Sequence, residues 1–270
     1  MGLEQVALER FVEPLERHPE YNFSFSTYFF TANQKQNNKI GNVLWETKIP
    51  DLENRGLLIP LLEHNFLGGA ALFTRSSVYQ QVGNFLPDLL RAEDYEMAIR
   101  ICRQFNGIRV AGGPTFHYRQ HSGIRGAMHE SFKASEIKKY SLKYDQIIFR
   151  RLYHELPLAE YLPPGIKLEN NRRQALLQRM AIMAAKLLHE MVVMDLHELS
   201  LLNNNSTFTG EEKILINNMM RVPFYGMGSL MNSFEFFDEL RKLAGQHPLI
   251  KDLHREIMRV VNQQLSIKRT

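Results

Sequence analysis

The run Glu93-Asp94-Tyr95-Glu96 places three carboxylates within four residues at the start of a helical pattern. The helix dipole favours the ionised form of a carboxylate there, and an ionised carboxylate is what general-base chemistry requires. Upstream, Gly68-Gly69 is a place where backbone can come close to another group with no side chain between. Downstream, Arg119 and His121 stand in GGPTFHYRQHSGIRG (residues 112–126), the densest polar stretch of the chain and a predicted mobile loop. Arginine there could grip an anion through paired hydrogen bonds. Each of these features also has a plain reading: an acidic helix start, a turn, an exposed loop histidine. Arg75 and Arg100 read as ion pairs of the fold, and Cys102 as a core residue.

Other chemistries are excluded by motif. The chain has no GxxxxGK[ST] phosphate loop, no GxGxxG after a strand and no GxSxG elbow. His-Glu pairs begin at residues 129, 154, 189 and 197, and none continues to HExxH. His189 and His197 share one face of a predicted helix, which reads as packing or surface histidine. The one cysteine excludes both an intrachain disulfide and a paired-cysteine zinc or redox site.

The elements that must position these residues follow from periodicity. Leu3, Val6, Ala7, Phe11 and Leu15 predict an amphipathic first helix, with Pro14 bending or shortening its end. The alternation over residues 21–29 predicts one strand with a buried face. Residues 31–42 read as a loop or hairpin tip, and 43–67 give no clear pattern. Residues 67–74 read as a strand opened by the two glycines, and Ser76–Val82 as a short helix with a serine cap, stopped by Gly83. A helix over 93–105 carries Tyr95, Ala98, Ile101, Cys102 and Phe105 on one stripe, and a short strand follows at 108–111. From about Ser131 strand signals vanish. Helices are predicted at 132–155, 170–201, 211–222, 232–244 and 249–265. The breaks between them fall at 161–167, at Asn203-Asn204-Asn205 and at Gly226-Met227-Gly228. The stripe of Met180, Met183, Leu187, Leu188, Met191, Met194 and Leu199 reads as core, or else as a methionine-rich partner groove.

The chain has 270 residues, 44% hydrophobic and 23% charged, so it can bury a real core. Its net charge of +4 divides evenly between residues 1–150 and 151–270. A nucleic-acid-binding reading therefore rests only on a mild basic excess, and no nucleic-acid partner is expected. No apolar run reaches the ~20 residues of a membrane helix, and the acid-bearing N-terminus lacks a signal-peptide core. A soluble cytoplasmic protein is expected.

Residues 67–125 as a block resemble the second half of the catalytic domain of family-2 glycosyltransferases, which have the GT-A fold. The matching pieces are Gly68-Gly69, Phe73-Thr74-Arg75, Val82-Gly83-Asn84-Phe85, Glu93-Asp94-Tyr95-Glu96, Arg100, and Tyr118-Arg119-Gln120-His121. Each is weak alone; their order and spacing make the match, which extends weakly to residues 3–31. The resemblance implies an α/β, partial GT-A domain over 1–130, followed by an α-helical region over 131–270. It implies inverting transfer of a sugar from a nucleotide-diphosphate donor to a glycan or lipid-linked acceptor, as in polysaccharide biosynthesis. Asp94 is the implied base, with Glu93 beside it. Gly68, Gly69, Arg119 and His121 are the implied acceptor and diphosphate contacts, and His121 a contact of a divalent metal, Mn or Mg.

The resemblance also implies a preceding nucleotide-binding half ending in Asp-x-Asp. The aspartates here are at 51, 88, 94, 145, 195, 238 and 252, and no two are one residue apart. The chain is thus expected to be incomplete without an N-terminal half, or to be a non-catalytic interaction or scaffold protein derived from such a domain. A sheet lacking its first strands should expose an edge and an apolar face, expected at Tyr21, Phe23, Phe25 and Phe29. A partner or a second copy would cover it, and peripheral contact with a membrane is also open.

Overall fold

The computed structural model describes residues 2–3, 6–32, 41–126, 131–202 and 207–267. The tip of the expected 31–42 loop, the His129-Glu130 pair and the Asn203-Asn204-Asn205 break lie outside the described residues. The protein is mixed α/β in its first part and helical in its second. It divides into two compact units, Met1–Ile137 and Lys138–Thr270.

The first unit runs β1 (Gly2–Leu3), α1 (Ala7–Arg17), β2 (Phe23–Phe25), β3 (Phe29–Thr31), β4 (Val43–Glu46), α2 (Leu58–Glu63), β5 (Leu72–Thr74) and α3 (Ser76–Val82). It continues through α4 (Glu93–Gln104), β6 (Gly107–Arg109), β7 (Phe116–Arg119), β8 (Ile124–Arg125) and β9 (Phe132–Lys133). One sheet has the order β1-β7-β3-β4, a second β5-β2-β6, and β8 pairs with β9.

The alternating stretch 21–29 is not the single strand its pattern predicts. It contributes β2 to the second sheet and leads into β3 of the first. Residues 107–119 do the same, with β6 parallel to β2 and β7 parallel to β3. The two segments pass between the sheets side by side, joined by buried polar bonds that leave few main-chain groups unpaired. Val110 N–H donates to Phe25 O at 2.8 Å and Thr115 N–H to Thr27 O at 3.1 Å. The hydroxyls of Ser26 and Thr115 lie 2.5 Å apart. Gly107 is obligatory here, since a Cβ on it would stand 2.2 Å from the Phe23 ring.

This arrangement corrects the expected apolar face. Phe23 and Phe25 are buried, packed under α1 and β5, with Phe11 stacked on Phe73 at 5.9 Å. Among the exposed apolar residues of this unit, Val43, Leu44 and Trp45, each about half exposed, lie together on β4. That strand ends the first sheet among the described residues. Residues 112–126 are likewise not one loop, because Phe116–Arg119 form β7 inside the sheet. Leu3 belongs to β1 rather than to the first helix, since Val6 at φ 68 turns the chain before α1 begins. Helix α1 then continues past Pro14 to Arg17. Ser76 makes no cap, because Arg75 holds the N-cap position and the serine is already inside the helix.

The second unit comprises α5 (Ile137–Glu155), α6 (Leu168–Ala185), α7 (His189–Ser200), α8 (Gly210–Met219), α9 (Phe234–Ala244) and α10 (Pro248–Ile267). The helix expected over 170–201 is two helices, because Leu187 takes φ 56 and turns the chain between α6 and α7. Met180, Met183 and Met191 are buried in the core, and Met194 is half exposed. Three buried cations are paired. Arg173 meets Glu212 at 2.6 Å, Lys186 meets Asp145 at 3.2 Å, and Arg179 meets Asp195 at 2.5 Å. Tyr153 donates a further bond to Asp195 at 2.8 Å. Burial lowers the Lys186 pKa, against the pull of Asp145. Among the described residues no helix is long and apolar enough to cross a membrane.

Asp195 is fully buried, so Asp195→Ala leaves the buried Arg179 with only its longer pair to Glu198 at 3.2 Å and is expected to cost about 3 kcal/mol. Glu155→Ala breaks an exposed pair with Arg151 and is expected to cost about 1 kcal/mol or less. Urea unfolding of the two variants against the parent chain measures the contrast.

Candidate functional site

Helix α4 opens at Ala92, whose φ of 58 swings the chain into the helix and puts Glu93, Asp94 and Glu96 in its first turn. The start is held from three directions. The Tyr95 ring is buried and its hydroxyl donates to Leu61 O at 2.6 Å, tying α4 to α2. Arg91 lies over the Phe132 ring at 4.4 Å. Arg100 donates to Glu96 at 2.8 Å and to Asn84 O at 2.9 Å, and also to Val82 O. Arg100 is therefore an ion pair of the fold, as its plain reading has it. Arg75 instead donates to the backbone carbonyls of Tyr21, at 3.1 Å, and Leu15.

The three carboxylates thus have different situations. Glu96 is buried and committed to Arg100, Glu93 is exposed, and Asp94 is half-buried. Asp94 Oδ1 accepts the N–H of Tyr95 at 2.8 Å, and Oδ2 accepts the N–H of Gly69 at 3.0 Å. Each oxygen keeps a further lone pair, so the group can still accept a hydrogen bond from a hydroxyl.

The Gly68-Gly69 pair turns out to matter for space rather than for backbone conformation. Gly68 has φ −58, which any residue adopts. A Cβ on Gly69 would stand 3.3 Å from Asp94 Oδ2, and one on Gly68 3.2 Å from the Tyr28 hydroxyl. The two glycines let a carboxylate and a phenol close onto the same turn. Gly68, Gly69 and Asp94 are therefore brought together, with Glu93 beside them on α4.

Arg119 is placed differently. It ends β7, where alternation sends it to the face of Phe29 and His117, opposite that of Phe30 and Tyr118. It is exposed, and the strand around it replaces the expected mobile loop. His121 follows the strand, half-buried, with its Nδ1 3.3 Å from where a Cβ on Gly123 would be. Among the described residues no three His, Cys, Asp or Glu side chains gather where they could hold a metal ion. Among the described residues, therefore, no set of three such ligands stands at His121. His189 and His197 do not pair with each other either: His197 Nε2 lies 3.3 Å from Glu239, and burial lowers the pKa of His189.

Tyr28 is the residue that the sequence reading missed. It is buried, stacked on Phe116 at 4.6 Å with planes 16° apart. Burial first, then the nearby Tyr118 and Asp94, push its pKa up to about 12. At neutral pH it is a protonated phenol beside a carboxylate. The available signal was the second-position recurrence of aromatics in Tyr28-Phe29-Phe30 and Phe116-His117-Tyr118, which marks two strands of one sheet face.

No protein-family model, no curated protein and no solved structure matches this chain.

The Tyr28 shift has a definite sign. The folded chain holds the phenol proton up to about pH 12 whereas the ordinary value is 10.0, so the folded state carries the extra proton between those limits. The contribution is fully present below pH 10 and is lost as pH rises toward 12. Alkaline titration followed by tyrosinate absorbance should show one fewer late-ionising phenol in Tyr28→Phe. Tyr153 and Tyr225, also shifted upward by burial, should remain in both proteins.

Proposed function

We propose that the first unit is the acceptor-side half of a family-2-type glycosyltransferase domain of GT-A type. In this reading the second unit is a helical extension. The observation that carries the proposal is the placement of Asp94, fixed at the start of α4 by the N–H groups of Tyr95 and Gly69 and set beside the Tyr28 phenol. The resemblance of residues 67–125 supports the same residue in the same role.

The chemistry is a single displacement. Asp94 takes the proton of an acceptor hydroxyl as that oxygen bonds to the anomeric carbon of the donor. The bond from that carbon to the diphosphate oxygen breaks, and the nucleoside diphosphate leaves with the electron pair. The pinned carboxylate needs no reorganisation to meet the hydroxyl. Glu93 adds negative charge beside the base, and Gly68 and Gly69 keep the approach narrow. The resemblance gives the leaving diphosphate to Arg119 and His121; His121 follows the end of β7, whereas Arg119 lies on the sheet face opposite Tyr118 and has no such role in this arrangement. The donor is a nucleotide-diphosphate sugar and the acceptor a glycan or lipid-linked glycan. A divalent metal enters this reading only with the diphosphate and with groups beyond the residues described here. A cytoplasmic site of action, with peripheral contact to a membrane surface, belongs to the same reading.

A second reading has its own observation. Both Asp94 oxygens already accept backbone N–H groups, which is also how a carboxylate braces a loop against a helix. With no Asp-x-Asp in the sequence, the chain would then be a non-catalytic interaction or scaffold protein of the same ancestry.

Calorimetric titration of the purified chain with UDP and manganese tests whether these residues hold a nucleotide site. Saturable binding, retained in Asp94→Asn, supports the transferase reading over the scaffold reading. The transferase reading further expects sugar transfer to fall about 10²–10⁴-fold in that variant. A folded chain that binds no UDP supports the scaffold reading or an acceptor-side half whose nucleotide-binding half is a separate segment.

A further inference from the structure

The chain between α8 and α9 is held to the second unit by alternate residues. Pro223 and Tyr225 are buried, while Arg221, Val222, Phe224 and Met227 are exposed. Tyr225 donates its hydroxyl to Asp145 of α5, and Asp145 also pairs with the buried Lys186 at 3.2 Å. Gly226 and Gly228 take φ 69 and 60, and a Cβ on Gly228 would stand 3.5 Å from Leu187. The turn is therefore pinned from beneath, and its apolar side chains are held outward. Val222 is 55% and Phe224 66% exposed. The start of α5 lies beside this turn, with Lys138 Nζ 5.5 Å from the centre of the Phe224 ring. Lys139 comes next, and Lys143 stands one helical turn beyond it on the same stripe. All three lysines are exposed. Lys138 and Lys139 fall in the first turn of α5, where the helix dipole disfavours cations, so the helix itself does not account for them. Asp145 is the only acid of α5 before Glu155, and it is committed beneath the turn. Between Lys213 and Phe234 the sequence has no acid.

We infer that this ridge, the turn 221–227 together with the start of α5, docks on a lipid surface that carries negative charge. A single exposed apolar residue is ordinary, but three on one pinned turn make a patch that calls for a partner. The cations beside the patch give that partner its sign. Phe224 and Val222 would enter the boundary between headgroups and acyl chains. The lysines would stay at the headgroups, their stems lying along the apolar surface. A protein partner would need a groove of matching shape and carboxylates fixed opposite each cation. A fluid lipid surface yields to a ridge and presents its charge diffusely, which fits cations spread over two elements. The surface is the one through which the membrane contact of the transferase reading would be made, but the inference stands on exposure and charge and does not rest on that reading.

The full chain is sedimented with vesicles of phosphatidylcholine alone and of phosphatidylcholine with phosphatidylglycerol added. The expected result is binding to the mixed vesicles, weakening as salt is raised. Lys139→Ala should weaken it about fivefold, the worth of one lysine near such a surface, and Lys139→Arg should keep it. Phe224→Ser should weaken it about tenfold or more, as expected for a ring that leaves water. Leu201→Ser, exposed at the far end of α7 from Leu187, should bind as the parent does. Circular dichroism checks that each variant is folded. The inference is overturned if the mixed vesicles bind the chain no better than phosphatidylcholine alone, or if folded Lys139→Ala and Phe224→Ser bind as well as the parent. It is also overturned if sedimentation velocity shows an oligomer that Phe224→Ser dissociates, which makes the turn a contact between copies. Vesicle binding and UDP binding are separate readouts. A chain that binds vesicles but no UDP leaves this surface standing, and one that binds UDP but no vesicles removes it and leaves the nucleotide site.

Discussion

The parallel pairing of residues 23–31 with residues 107–119 is the constraint from which the first unit is built. It supplies the central strands of both sheets and carries the chain from one to the other over the buried contact between Ser26 and Thr115. Helix α4 ends where β6 begins, so the pairing of β6 with β2 also fixes where α4 lies, and with it Asp94. Tyr28 stands at the exit of the same crossing. Slipping either segment by one residue would exchange the faces of every side chain that follows. The aromatic face of Tyr28, Phe30 and Tyr118 and the Phe29–His117 contact would trade places.

The candidate site uses physics that is visible only once this frame exists. A carboxylate and a phenol are packed against one glycine turn, and the phenol keeps its proton because it is buried beside that carboxylate. The turn can accept both groups because neither glycine carries a Cβ. The site is thus defined as much by two missing methyl groups as by the polar atoms. Substituting either glycine would shift a functional group by a few tenths of an ångström without changing any charge.

Much of this organisation was legible in the residues themselves. The helical second half, the start of α4, and the structural role of Arg100 follow from periodicity and from charges one helical turn apart. The two-way use of residues 21–31 was not legible. Period-two alternation gives which residues share a face but not which sheet a strand joins, and the partners lie far away in sequence. The polar segment 112–126 read as loop because its polar residues hid β7, whose pairing with β3 is non-local. The division of helix 170–201 turned on Leu187 at positive φ, a conformation for which leucine gives no sequence signal. Tyr28 was missed for the same reason as β3 and β7, since the contacts it makes exist only across strands.

The distance in sequence between the paired segments also bears on how the chain is made. Ser26 and Thr115 are separated by 89 positions. At about 5–20 residues per second of synthesis, the first segment waits roughly 4–18 s before its counterpart exists. During that interval β2 can pair with β5 and β3 with β4, but their parallel partners β6 and β7 do not yet exist. The second unit, made of helices joined by local turns, has no comparable delay. A nascent chain of this protein therefore carries its most aromatic segment paired on one side only until residues 107–119 have emerged, the period in which a chaperone that holds short aromatic stretches has the most to shield.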